Sequence, residues 1–247
     1  MLDVLWRFLY NMALELMRRV PLGLEKIHGG KQLMKEKLMS FFVGMRRPHM
    51  ERRIPALLIG VTLMGFGVAM FDLIGFGTDP CTVMNLGLSD VLGIPFGTLQ
   101  LSINLLMMLV VIKYDTSRIG MGTIANMVFI GYIAEFFMYV FDRIPALAAL
   151  TLTARLVLFV PTLMLFLIAA STYMCVDMGV SPYDAMPQII AKRMGWSFRM
   201  VRMGWDFFMM FGGWLLGSTV GPVSIGTTLF LGPLVAWMSG YVRRFFD

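Results

Sequence analysis

Gly77-Thr78-Asp79-Pro80 and, 102 residues later, Gly179-Val180-Ser181-Pro182 decide how this chain is read. Each stretch closes a long apolar run, and each carries a polar residue directly before a proline. The match continues outward at the same offset: Met84, Gly93, Phe96, Met107 and Met108 meet Met186, Gly195, Phe198, Met209 and Met210. A proline removes one amide donor and disfavours helix at the residue before it, and glycine just upstream frees the backbone. Gly77, Pro80, Gly179 and Pro182 therefore read as structural breaks, one in each copy of a duplicated unit. Asp79 and Ser181 are placed to cap the short helices that follow.

The composition fixes the class. Of 247 residues, 58% are hydrophobic and 15% are charged, against about 45–50% and about 25% in soluble domains. The apolar material comes in runs of about 20 residues, the length that crosses a bilayer. The ~10-residue alternating segments of a β-barrel are not seen. The fold class expected is an all-α polytopic membrane protein with about six spans, arranged as two inverted three-helix repeats. Each repeat holds a Gly-x-x-Pro break and a short helix.

The spans expected run over 54–74, 98–112, 120–141, 156–176, 198–216 and 223–242. Short helices are expected over 81–92 and 183–194, and a loop over 142–154. Repeat 1 covers 54–142 and repeat 2 covers 143–247. Residues 1–53 form a basic N-terminal segment. Within it, 1–22 read as an amphipathic helix suited to the membrane interface or to docking on the spans, and 31–53 as a basic collar that contacts anionic lipid.

The net charge of +6 does not point to nucleic acid, because eleven of the 21 Lys and Arg fall in residues 1–53. With the N-terminus in the cytoplasm, six spans place eight of the other ten basic residues inside and leave Arg143 and Arg155 outside. That satisfies the positive-inside rule and implies a multi-pass membrane protein with both termini in the cytoplasm. No cleavable signal peptide is evident. An odd number of spans per repeat makes the second copy run opposite to the first. Discontinuous helices at matched positions of inverted repeats are a recurring transporter design.

Short motifs in order carry a family likeness. They are the GxGTDP-type stretch at 75–80, Gly122-Thr123, Gly195-Trp196-Ser197-Phe198-Arg199 with Arg202, and Gly232-Pro233. Together they resemble the YitT/YczE-type family of bacterial integral membrane proteins, the YczE-like branch most closely, over residues 55–242. The resemblance implies a multi-span inner-membrane protein and names no substrate.

Polar residues inside the spans are the site candidates. Arg202 and Asp206 share one helix face at i,i+4, and their counterparts in the first copy are Gln100 and Asn104. Charges within a span are costly and usually face the bundle interior. With Thr78, Asp79 and Ser181 at the breaks, these residues form the expected substrate-binding set. Arg199, one turn earlier, either joins Arg202 or snorkels to the headgroups. Glu135 and Asp206 are the candidates for proton coupling, although Glu135 reads as well as a cap near the end of its span. Asp184, in the first turn of its short helix, suits the helix dipole, and the sequence asks no more of it.

Other chemistry is absent from the sequence. Cys81 and Cys175 form no CxxC, and His28 and His49 both precede the first span. The 25 methionines form no dense thioether cluster and suit packing. No P-loop, nucleophile elbow or HExxH occurs. No enzyme, cofactor or metal site is therefore expected. The function expected is a secondary transporter or facilitator of a small, anionic solute bound between inverted repeats. The alternative is a non-transporting scaffold or regulator that binds a protein partner or lipid. Partners are membrane lipids and the solute; a homo-oligomer is compatible with the sequence.

Overall fold

Proline, glycine and side-chain caps set the element boundaries in a computed structural model that describes residues 50–245. The expected amphipathic helix over 1–22 lies outside these residues, as does the basic collar except for 50–53. Nine α-helices follow in the described part: α1 (Met50–Ile74), α2 (Pro80–Leu92), α3 (Phe96–Tyr114), α4 (Met121–Asp142), α5 (Pro145–Ala148), α6 (Leu152–Cys175), α7 (Pro182–Met194), α8 (Phe198–Leu215) and α9 (Pro222–Val242). No strand occurs among the described residues.

α2 and α7 have equal length, and equivalent residues begin and end them. Asp79 caps α2, its carboxylate accepting from the Thr82 amide at 3.2 Å and the Thr82 hydroxyl at 2.6 Å. Ser181 caps α7 by accepting from the Asp184 amide at 3.0 Å. Pro80 and Pro182 occupy the first turns, where a missing N–H costs nothing. Gly93 (φ 64°) and Gly195 (φ 67°) end the helices in the left-handed conformation that glycine adopts without penalty.

Two expected boundaries move. α1 begins at Met50 and carries Pro55 within it, so the span starts before the proline. The expected loop over 142–154 contains α5, and α6 begins at Leu152 because the Thr151 hydroxyl caps it, accepting from the Ala154 amide at 3.3 Å.

Four helices, α1, α3, α4 and α6, are long and apolar enough to cross a membrane. α9 adds a fifth if its two parts, which meet at a bend, are one span. α8 has the length, but Arg199, Arg202 and Asp206 lie within it. The outward faces are as apolar as the interior: Leu106, Phe136 and Val157 are all more than half exposed. Such surfaces suit lipid rather than water.

α1 packs on α6 through small residues. A Cβ on Gly60 would meet the Ala169 carbonyl and the Tyr173 backbone, and one on Gly67 would meet Phe166. Around this pair, α4 packs on α1 and α9 on α6, α2 packs on α8 and α7 on α3. The pairings answer one another residue for residue. Val83 of α2 lies against Gly213 of α8, and Ala185 of α7 clusters with Val111 of α3; both pairs are related by the same offset of 102.

The breaks meet the starts of α9 and α4 by backbone contact. The Val223 amide donates to the Phe76 carbonyl at 3.1 Å, and the Gly122 amide donates to the Met178 carbonyl at 2.7 Å. Gly77 (φ 86°) lies so close to Gly221 that a Cβ would sit 2.7 Å from its nitrogen. Gly179 (φ 106°) stands in the same relation to Gly120, at 2.6 Å. A side chain at either break fails twice, by conformation and by contact.

Candidate functional site

The start of α7 and the middle of α8 build one charged group. α8 turns Arg202 and Asp206 onto a single face, and the guanidinium Nε donates to Asp206 Oδ2 at 2.9 Å. Arg202 Nη1 donates to Asp184 Oδ1 at 2.6 Å. The Tyr183 hydroxyl donates to Asp206 Oδ1 at 2.6 Å. The Ser181 hydroxyl donates to Asp184 Oδ2 at 2.7 Å. The Arg202 head also stands 5.3 Å from the centre of the Tyr183 ring. Each carboxylate oxygen has a donor, so the group holds its own geometry.

Burial grades across the group. The Asp206 side chain is 6% exposed, Arg202 24% and Asp184 37%. The inner carboxylate is enclosed and the outer one is open. One guanidinium serves two carboxylates, so with all three ionised the group carries a net negative charge.

The start of α2 faces the same place. Asp79 is within electrostatic reach of Asp184. Cys81 is within reach of Asp79, Asp184, Asp206 and Arg202. From there the short helices diverge. α2 climbs along α8 to its C-terminal end, where Gly87 lies against Gly213, Leu216 and Ser218. α7 runs to the other end of α3, where Arg193 stacks 3.9 Å over the Tyr114 ring and Gln188 bonds to Arg118. The positive ends of both short helices therefore point toward the Arg202 group, and both C-termini point away from it.

The expected site residues divide accordingly. Ser181, Arg202 and Asp206 are joined directly, and Asp79 lies in their field. Thr78 is buried, its hydroxyl 3.5 Å from the Asp79 carbonyl. Gln100 and Asn104 are buried in α3, and the Asn104 amide donates to the Gln100 main-chain carbonyl at 2.9 Å. The Gln100 side-chain oxygen is enclosed without a partner. Glu135 stands apart from the group: its carboxylate accepts from the Gly97 amide at 2.8 Å. It caps the start of α3 from α4 and answers one of the helix's orphan donors. Arg199 is exposed at the start of α8 and adds no second cation to Arg202.

Two members were missed by the sequence. Asp184 does more than complement a helix dipole: it is the second anion on Arg202. Tyr183 orients the first. The signal was the need of a buried arginine for anions; both residues sit in the first turn after Pro182. Among the described residues, no three His, Cys, Asp or Glu side chains are grouped to hold a metal ion.

The model of a family of unknown function (DUF6198) matches residues 51–240. An uncharacterized protein of Haemophilus influenzae is 26% identical over 196 residues, which is 78% of this chain and 86% of that relative. The uncharacterized membrane protein YczE of Bacillus subtilis is 26% identical over 187 residues, 75% of this chain and 81% of that relative. No solved structure matches the chain.

Proposed function

From a chain that belongs to the family of unknown function DUF6198 and is a YczE-like membrane protein, we propose a secondary transporter or facilitator whose central site takes a small cation in exchange for protons. The site lies between two inverted repeats, and the protein is a multi-pass protein of the bacterial cytoplasmic membrane with its N-terminus inside. What supports the inversion is the correspondence of packing at an offset of 102, together with short helices that diverge from one centre toward opposite ends. Non-helical backbone at membrane depth is tolerated where it is buried in protein. The stretches at 75–79 and 176–181 meet that condition through their contacts with α9 and α4.

The observation that carries the choice of solute is the double engagement of Arg202 by Asp184 and Asp206. The expected anionic solute would compete for the guanidinium with two carboxylates, which already take Nε and Nη1. Asp79 adds a further carboxyl group nearby. Pro187, buried in α7, has no amide for the Tyr183 carbonyl four residues earlier, so that acceptor lacks its helical donor. Each carboxylate oxygen keeps a second acceptor position beside its donor, and a carbonyl without its helical donor adds another, a set that suits a cation. Asp184, the exposed member, is the point of entry. Protonation of Asp206 would free Arg202 to move to Asp184, which couples proton and cation.

Reconstituted vesicles loaded with a pH-sensitive dye test the reading. Gradients of sodium, potassium, ammonium and a small organic cation are applied in turn, and at least one drives proton counter-flux. Asp184→Asn and Asp206→Asn abolish that flux. Fluxes equal to protein-free vesicles under every gradient would reject the transporter and favour the scaffold alternative.

A further inference from the structure

Each long helix that leads into a break is held at its end by an arginine from the other. Arg53, in the first turns of α1, donates from Nη1 to the Val176 carbonyl at 2.6 Å, at the end of α6. Arg155, in the first turn of α6, donates from Nη1 to the Ile74 carbonyl at 3.2 Å, at the end of α1. Donor and acceptor are both displaced by 102 residues between the two contacts, so the bonds are the same bond made twice. The carbonyls belong to residues that are fully buried. Ile74 is the last residue of α1 and Val176 is the C-cap of α6, positions whose carbonyls have no donor within the helix. A cation at a helix C-terminus is favourable.

The next residue makes these anchoring points hinges. Gly75 (φ 72°) follows Ile74, and Asp177 (φ 49°) follows Val176. Both leave the helix in the left-handed region, and Asp177 is the single non-glycine residue with positive φ among the described residues. The Arg155 head lies over Gly75, where a Cβ would come within 2.9 Å of Nη1. The anchors are not saturated. Arg155 Nε donates to the Leu150 carbonyl at 3.2 Å, whereas Arg53 Nε is buried without a partner. A guanidinium with a donor to spare exchanges carbonyls without losing every bond. Arg53 and Ile74 stand 21 residues apart on α1, so the anchors are about 30 Å apart, one hydrocarbon thickness.

We propose that Arg53 and Arg155 are paired latches, one at each membrane face, and that the polar centre opens toward a face when the latch on that face releases its carbonyl. The inference rests on the transporter reading for its purpose, not for its geometry. The latches are positioning residues, which set the path of the chain into each break and do not touch solute.

Native Cys81, half-buried and beside the Arg202 group, reports access to the centre. In a Cys175→Ala background, a membrane-impermeant maleimide is applied to spheroplasts and to inside-out vesicles. Arg155→Gln raises the rate of Cys81 labelling from one face only, and Arg53→Gln raises it from the opposite face only. The rise is about 5-fold, the size of one lost hydrogen bond. Arg→Lys variants, which keep the charge and a donor, show the same sidedness with a rise of about 2-fold, again scaled to part of one bond. They carry the test where a glutamine variant does not assemble. Equal change from both faces, change from the same face for both arginines, or no change overturns the latches. Sided labelling without cation flux would keep the latches and reject the carrier; flux without sidedness would do the reverse.

Discussion

The two halves share a backbone plan and differ in what they place at its centre. In the second half, α7 and α8 bring Tyr183, Asp184, Arg202 and Asp206 into one bonded group. At the equivalent positions of α2 and α3 stand Cys81, Thr82, Gln100 and Asn104, all neutral. There Thr82 turns back to its own cap at Asp79, and the Asn104 amide stays on α3. Gln100 packs against Gly131 of α4. One half thus supplies electrostatics and the other supplies a tightly packed frame. The halves share the geometry, and the bonded ion pairs at its centre lie on one side of it.

The division is tested most severely at Arg202. Arg202→Ala leaves Asp184 and Asp206 facing each other without a counter-charge. Breaking a buried pair in this way costs about 3–5 kcal/mol. Urea or thermal unfolding in detergent should show that loss, with no flux remaining in vesicles. Making the second half resemble the first is the sharper experiment. Arg202→Gln with Asp206→Asn removes the buried pair together and leaves only the half-open Asp184 without its counter-charge, so stability returns to within about 1–2 kcal/mol of wild type. Flux in vesicles stays absent. Recovery of flux in the double variant would mean that the charges serve the fold alone.

The frame can be probed in the same spirit. Gly77→Ala meets both a φ of 86° and the backbone of Gly221, and should cost about 2–3 kcal/mol. Gly93→Ala has a φ of 64° but open space around it, and should cost only about 1 kcal/mol. Equal losses in thermal unfolding would mean that the crossing with α9 is slack. The smallest effect lies outside the spans. The Ser117 hydroxyl, then Arg118, hold the Asp115 carboxyl below its ordinary value. A depressed folded value stabilises above the unfolded one and loses that contribution as pH falls through it. Asp115→Asn should therefore lower stability slightly at neutral pH, leave it unchanged in acid, and so flatten acid sensitivity below about pH 4.

Much of the frame was legible in the sequence because it is written in residues with single meanings. Pro80 and Pro182 start helices, Gly93 and Gly195 stop them, and Asp79 and Ser181 cap them. The early start of α6 had a signal in Thr151, which was passed over amid apolar residues. The charged group was half legible. Arg202 and Asp206 announce each other by i,i+4 spacing, but Asp184 and Tyr183 reach them across the turn between α7 and α8. Spacing along one helix says nothing of such a meeting. The expected anionic solute and the proposed cation part at the same point, since an arginine with one carboxylate looks available and an arginine with two does not. Glu135 was ambiguous because a carboxylate near a span's end reads alike as cap or carrier; only the Gly97 amide distinguishes them.

The bonds from Val223 to Phe76 and from Gly122 to Met178 bear on how the protein is made. Each break is stitched to a helix that the ribosome delivers far away in the chain, so neither half can complete its own turn alone. While α1 to α4 wait in the bilayer, the Phe76 carbonyl has no amide to receive. Assembly is therefore committed late, when α9 arrives, and a chain truncated before Pro222 should be cleared by membrane proteases instead of persisting as half a protein.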